Sequence, residues 1–396
     1  MTLPHVTAGL LIIAGLFRIS QITRPLVLAI TAMAGMLVWG VLVALPTSET
    51  PRQYERVLNH SCLFVFSGCV LAFAGLTRFQ RDDFRCFLPS VKWVYAVVVL
   101  YAVYQTFGRR YGWPYSFLDV NNRSLSTDAI LEGYQPGASQ LGTESTYASR
   151  ASSFFVEPTN LGMYLGYGAA VSFGLIERGD RWAREGYRGL LLTGIGFAAN
   201  QSLTGLLAIG VVVGINLVRL LLIRRVTRFR LILSLLVITF LGLLLVPGAF
   251  EAIRDRVLGL SIDDSSGRFT ALPMVMDVFT RQPLGLGIGN HGLLFESIHN
   301  GLLLFLVQFG VLAFLVPACW IHRMCTSFLS SVRSRQATDE GWRYVFTMSL
   351  LAVHFCTWAS SGLMYEPINW CLSGFAFALY GNAPSATRPI PSANNG

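Results

Sequence analysis

Long apolar runs without charge, separated by short polar links, dominate this chain. Leu231–Phe250, Ser297–His322, Tyr344–Tyr365 and Pro367–Thr387 contain no Asp, Glu, Lys or Arg. Each is long enough for a helix to cross a hydrocarbon layer about 30 Å thick. The pattern predicts spans near 3–18, 25–45, 57–77, 90–107, 154–177, 231–250, 298–321, 344–362 and 367–381. Gly189–Val218 is harder to parse, being uncharged and flanked on both sides by arginine clusters. Two basic ends on one side of a membrane need an even number of crossings. Roughly 30 residues make only about 45 Å of helix, too little for two full spans. Residues taken from the flanks, with a turn at Ala199–Gly205 (ANQSLTG), resolve the segment as two helices; a re-entrant hairpin is the alternative. The expected fold is an all-α polytopic membrane protein with about 11 transmembrane helices, roughly 10–12, in one domain over residues 1–381.

Two long polar connections interrupt this pattern, 108–153 and 251–297, each ending just before a span. Loops of that length are usually functional or disordered. The tail 382–396, rich in Pro, Ser and Asn, is expected to be disordered.

Composition agrees with a membrane protein: 53% of residues are hydrophobic and 13% charged, against about a quarter charged in soluble domains. The net charge of +9 could suggest a nucleic-acid partner, but its placement speaks against one. Arg18/Arg24, Arg78–Lys92, Arg178–Arg188, Arg219–Arg230, Arg323–Arg343 and Arg388 together hold 20 of the 30 basic residues. That bias puts these links in the cytoplasm and the two long loops outside it. The cysteines fall in or beside spans or in a cytoplasmic link, and no pair has zinc-site spacing, so neither a disulfide framework nor a metal site is expected. The N-terminus lacks the basic stretch and cleavage site of a removable signal peptide.

The second loop leads into a span through QPLGLGIGNH, then His299-Asn300, nine residues, and Gly310. This spacing resembles a signature of bacterial O-antigen ligases and O-antigen polymerases, in which a further Gly, Thr or Tyr follows; here that position is Ala313. RFTAL, Arg268–Leu272, resembles the R-x-x-x-L motif of the same superfamily. RASSFFVEPTNLGMYLG, from Arg150, resembles the lead-in to a span seen in its polymerase branch. The resemblance implies a GT-C-like glycosyltransferase of the bacterial inner membrane with its active site facing the periplasm. It would move a glycan from undecaprenyl diphosphate to a sugar hydroxyl, with no cofactor. A partner that regulates chain length is implied by the same resemblance.

The residues suit that chemistry. Arginine holds phosphate oxygens bidentately and stays charged, and Arg150, Arg268 and Arg281 all precede apolar runs. They can bind a lipid diphosphate and stabilise charge on it as it departs. His299 is the expected general base for the acceptor hydroxyl, since an unperturbed imidazole titrates at about 6.5. Glu157 is the competing base or a sugar ligand, and Asn300 and Gly310 support the site. No D-x-D occurs, which argues against a metal-bridged nucleotide-sugar site.

Each residue also has a plainer reading. His299 and Asn300 could simply start a helix, and Arg150 and Arg268 could anchor at the interface. Arg281 could be a solvated loop charge. Glu157-Pro158 suits a first helical turn. GLGIGN is not in a strand-turn-helix context, so a dinucleotide site is not expected. Asp263-Asp264 reads as a solvated turn, and Trp113 and Tyr115 as sugar platforms or an interfacial belt. Asn200, Gln201 and Ser202 read as helix-to-helix hydrogen bonders, and His354 as a hydrogen-bonded group facing the bundle. Glu366-Pro367 repeats the Glu-Pro pair at another helix start. Polymerase is favoured over ligase because of FFVEP. A lipid-linked glycan transporter is the alternative of another class, disfavoured by the lack of charge within spans, and nothing specific supports a scaffold.

Overall fold

The computed structural model describes residues 24–76, 81–111, 151, 153, 155, 158–245, 271–290, 300–334, 341–360 and 366–381. Among the described residues there are twelve α-helices and one 3-10 turn. In chain order these are α1 (Arg24–Thr47), α2 (Pro51–Leu76), α3 (Arg81–Tyr111), α4 (Pro158–Arg178), α5 (Asp180–Asn200), α6 (Leu203–Leu222) and α7 (Val226–Leu245). There follow α8 (Leu272–Arg281), α9 (Gly301–Phe309), the 3-10 turn Gly310–Phe314, α10 (Leu315–Arg333), α11 (Gly341–Ser360) and α12 (Pro367–Gly381). Each expected span from residue 25 onward overlaps helix among the described residues, with one of them, over 298–321, interrupted. The one at 3–18 and the tail 382–396 lie outside the described residues.

Helix boundaries follow local chemistry. At α2, Thr50 precedes Pro51 in the first helical position, and Gln53 Oε1 accepts from the Glu49 and Thr50 amides at 2.5 and 2.9 Å. The Gln53 amide donates back to Thr50 Oγ1 at 3.4 Å, completing a capping box. Ser202 caps α6 by accepting from the Gly205 amide at 3.1 Å. Gly189–Val218 does become two helices, α5 and α6, separated by Gln201 and Ser202. Each reaches about 30 Å, because α5 begins in the charged flank at Asp180 and α6 runs on to Leu222.

Five helical stretches among the described residues are long and apolar enough to cross a membrane: Arg24–Thr47, Pro51–Leu76, Val91–Gly108, Leu203–Leu222 and Gly301–Arg333. The chain is a membrane protein. Of the remaining helices, α11 faces protein along most of its length. α11 packs against α4, α6, α10 and α12, and its buried residues include Thr347, Ser349, His354, Thr357 and Ser360. Partners lie on the neighbours: Asn216 Nδ2 donates to Ser349 Oγ at 2.9 Å, and Thr347 Oγ1 to the Ala376 carbonyl at 3.1 Å. His354 Nδ1 meets Trp320 Nε1 at 3.3 Å and the Ser373 hydroxyl, which is the hydrogen-bonded role expected of it.

One expectation needs correction. The single span over 298–321 is broken: α9 stops at Phe309, and Gly310 has φ +56° and ψ −136°. In an unbroken helix the Val311 amide would bond to the Val307 carbonyl. Instead it donates to the Pro283 carbonyl at 2.8 Å, and Val307 accepts from Leu286 at 2.8 Å. Gln308 likewise accepts from the Gly287 amide at 3.0 Å. Residues 282–290, which follow α8 in the expected second loop, thus form a strap inserted into the bundle. The strap continues to α1, where the Ile288 amide donates to the Gly40 carbonyl at 3.0 Å. Asn290, 1% exposed, donates from Nδ2 to Thr47 Oγ1 at 2.8 Å and lies near the Ala44 carbonyl at 3.3 Å. Irregular backbone at membrane depth is tolerated only where protein or a water-filled cavity satisfies it, and here the two irregular segments satisfy each other.

Candidate functional site at the starts of α4, α6 and α9

Hydrogen bonds gather the starts of α4, α6 and α9 at the end of the bundle where α11 finishes. Asn300 joins two of them. Its Oδ1 accepts from the Leu302 and Leu303 amides at 3.0 and 3.2 Å, capping α9. Its Nδ2 donates to the Ala359 carbonyl of α11 at 2.7 Å. In the structure Asn300 is thus a cap and a tie.

Beside Ala359, the Ser360 hydroxyl donates to Thr204 Oγ1 of α6 at 3.1 Å. The start of α6 is in turn fixed by Ser202, whose hydroxyl donates to Asn200 Oδ1 at 2.5 Å. Asn200, fully buried, spends its Nδ2 on two carbonyls, Pro158 at 2.7 Å and Ala151 at 3.1 Å. One side chain thus binds both ends of the short segment 151–158. Gln105 of α3 holds the same segment, accepting from the Ser153 amide at 2.7 Å and donating to its carbonyl at 3.2 Å. Close packing of α4 on α6 makes these contacts reachable. A Cβ on Gly162 would stand 2.0 Å from Ser202 Oγ and 3.0 Å from the Gly205 Cα.

Sequence reasoning identified Asn200 and Ser202 as helix-to-helix hydrogen bonders, and the structure assigns them that role. It did not single out Gln105, Thr204, Ser360 or Asn290. Gln105 and Asn290 carried a signal, each being a lone amide in or beside an apolar or glycine-rich run.

The remaining site expectations divide as follows. His299, Glu157, Arg150 and Arg268 lie outside the described residues, each within three positions of a described one. Arg281 ends α8 with its side chain 76% exposed and pairs with Asp277 at 3.1 Å, a solvated charge at the root of the strap. Gly310 admits the strap. Asp263-Asp264, Trp113 and Tyr115 also fall outside the described residues. Among the described residues no group of three or more His, Cys, Asp or Glu is placed to hold a metal ion.

A membrane bundle with a polar, hydrogen-bonded end is common to many activities, so the deciding observation is comparative. Residues 2–365 match the family described as WcaD colanic acid polymerase. The chain belongs to that family. Comparison with curated proteins finds no match, and comparison with solved structures finds none either. The WcaD match covers both long connections and every predicted site residue, and it stops just short of α12. Membership agrees with the O-antigen and exopolysaccharide polymerase superfamily suggested by the motifs. It makes the protein a surface-polysaccharide polymerase, a glycosyltransferase-type enzyme acting on a lipid-linked oligosaccharide.

A test of the site's framework follows from Asn200. Asn200→Ala leaves two carbonyls and the Ser202 hydroxyl without this partner in a buried setting. The expected loss is about 1–3 kcal/mol of stability, read as a lower melting temperature in detergent. An unchanged melt would mean that segment 151–158 is held by other contacts.

Proposed function

We propose that this WcaD-family protein lengthens a surface glycan on the periplasmic face of the bacterial inner membrane, with undecaprenyl diphosphate as the carrier and leaving group. A GT-C-like architecture belongs to the same proposal. The observation that carries the site assignment is the hydrogen-bonded path from Asn300 through Ala359, Ser360, Thr204 and Ser202 to Asn200. With the Ala151 and Pro158 carbonyls that Asn200 holds, the path adjoins three proposed residues in sequence: Asn300 follows His299, Ala151 follows Arg150, and Pro158 follows Glu157. Segments distant in the chain are thereby tied to one end of the bundle.

In the proposed reaction, the acceptor hydroxyl of one lipid-linked repeat attacks C1 of the growing glycan. The new C1–O bond forms as the C1–O bond to phosphate breaks, and the electron pair leaves with undecaprenyl diphosphate. The hydroxyl proton passes to His299. Arg150 and Arg268, with Arg281, hold the diphosphate and stabilise the charge it gains. Glu157 orients a sugar hydroxyl. The arginines take the role a divalent cation would otherwise fill, so the reaction proceeds without metal. A single displacement inverts the anomeric centre.

Purified protein supplied with a synthetic lipid-linked repeat unit is expected to yield a ladder of longer glycans on the same lipid, in the presence of chelator. Transfer that occurs only when lipid A core is added would make the protein a ligase. Movement of the lipid across vesicles without any new glycosidic bond would make it a transporter.

A further inference from the structure

At the opposite, arginine-rich end of the bundle, three guanidinium groups converge on one carboxylate. Glu177, next to last in α4 and 7% exposed, binds Arg219 of α6 in bidentate fashion. The distances are 2.8 Å from Nη2 to Oε1 and 3.0 Å from Nη1 to Oε2. Arg228 of α7 reaches Oε2 at 3.0 Å, and Arg225, in the turn between α6 and α7, lies 3.6 Å from Oε1.

The arrangement is unbalanced in both charge and hydrogen bonding. Among the described residues three cations face one anion, a surplus of two positive charges. A carboxylate offers about four acceptor sites, whereas three guanidiniums carry about fifteen N–H donors. Arg219 is 2% exposed, and its Nε has no hydrogen-bond partner among the described residues. Arg225 and Arg228 are 23% and 25% exposed, so their remaining donors reach the outside. Arginines that only set topology need no carboxylate to converge on; these are built around one.

What surrounds them indicates the missing anion. Leu221, Leu222 and Val226 flank the turn and are 55%, 52% and 51% exposed. Large exposed apolar side chains beside guanidiniums mark the level where hydrocarbon meets headgroups. A ligand for this place needs anionic oxygens and an apolar body. Inorganic phosphate would use the arginines and gain nothing from the leucines.

We propose that the ends of α4, α6 and α7 bind the phosphate of an anionic phospholipid. Arg225 and Arg228 supply the donors, the Glu177–Arg219 pair forms a fixed floor, and the acyl chains lie on Leu221, Leu222 and Val226. Basic recesses between membrane helices are recognised sites for such headgroups. The site is separate from the glycan chemistry and does not depend on it.

The test uses full-length protein in neutral detergent, titrated with phosphatidylglycerol, phosphatidylcholine or inorganic phosphate. Retained lipid is read by native mass spectrometry and stability by thermal melt. Wild type is expected to retain phosphatidylglycerol over phosphatidylcholine and to melt higher with it, while phosphate has no effect. Two arginines at about 1 kcal/mol each correspond to roughly thirtyfold weaker retention in Arg225→Gln/Arg228→Gln. Arg188→Gln, removing a guanidinium 57% exposed and paired with Glu185, should behave as wild type. Equal retention by the double variant and wild type would overturn the proposal, as would equal stabilisation by inorganic phosphate. Should the double variant fail to fold, the wild-type comparison still decides, since no preference for the anionic lipid rejects the site.

Discussion

Exchanging His299 for alanine is expected to slow glycan lengthening by about 10²–10⁴-fold, the contribution typical of a positioned general base. The melting temperature should change little, and that separation makes the experiment informative. His299 stands at a helix start, where a polar residue often serves only to satisfy free backbone amides. In this protein that work is done by its neighbour: Asn300 accepts from two amides of α9 and ties α9 to α11. Asn300→Ala should therefore cost stability, about 1–2 kcal/mol for the cap alone, whereas His299→Ala should cost rate. Single-turnover assays with lipid-linked repeat unit, run beside thermal melts, distinguish the two. Wild-type turnover by the His299 variant would remove it as the base and leave Glu157 to be tested next.

Gly310→Ala is expected to be the most damaging single-methyl change in the described bundle. At φ +56° the backbone conformation is one that L side chains rarely adopt. The added Cβ would also stand 2.1 Å from the Pro283 carbonyl oxygen and 2.5 Å from the Gly285 amide nitrogen. The strap would have to withdraw, stranding the Pro283 and Val307 carbonyls and the Val311 and Leu286 amides in the bundle. Each stranded buried group costs about 1–3 kcal/mol, and a total beyond about 4–5 kcal/mol marks an exceptional mutation. The outcome expected is little or no folded protein in detergent extracts. Gly287→Ala should act the same way, since its Cβ would meet the Ala44 amide nitrogen at 2.3 Å. Gly35→Ala, in α1 with nothing within 4 Å, should be tolerated. Equal extraction of the Gly310 and Gly35 variants would contradict the strap.

The two predictions bear on one geometry. The strap ends at Asn290 and α9 begins after Asn300, so both ends of the connection carrying His299 are fastened by buried asparagines. Asn290 fastens its end to α1, and Asn300 fastens the other to α11. The requirement for Gly310 and the proposed base at 299 are thus linked through the backbone on either side.

The candidate site rests largely on residue types and spacings: the His-Asn pair, Gly310, and the arginines ahead of spans. Arg281 illustrates the limit of such reading. Its position before an apolar run suggested a phosphate ligand, and at the end of α8 its side chain pairs with Asp277 while staying 76% exposed. A pair one helical turn apart is a local event, but whether it faces a cleft or solvent depends on what α8 packs against. Asn200 is the converse case, an amide in an apolar hairpin whose partners lie 42 and 49 residues back in the chain.

The chain's apolar pattern alone was enough to locate most of the helices. A helix satisfies its backbone within its own segment, and apolar length together with the bias of arginine placement decides the rest. Even the short stretch between two arginine clusters was resolvable as α5 and α6 by counting crossings. Only the tertiary structure decided that the helix expected over 298–321 breaks at Gly310. A glycine in a long apolar run is compatible with a continuous helix. It becomes a break because foreign donors and acceptors at Pro283, Leu286 and Gly287 replace the lost helical bonds. The same holds for Glu177, whose three cationic partners arrive from α6, α7 and the turn between them. Hydrogen bonds and charges that must be satisfied from outside their own segment cannot be assigned until the segments are packed.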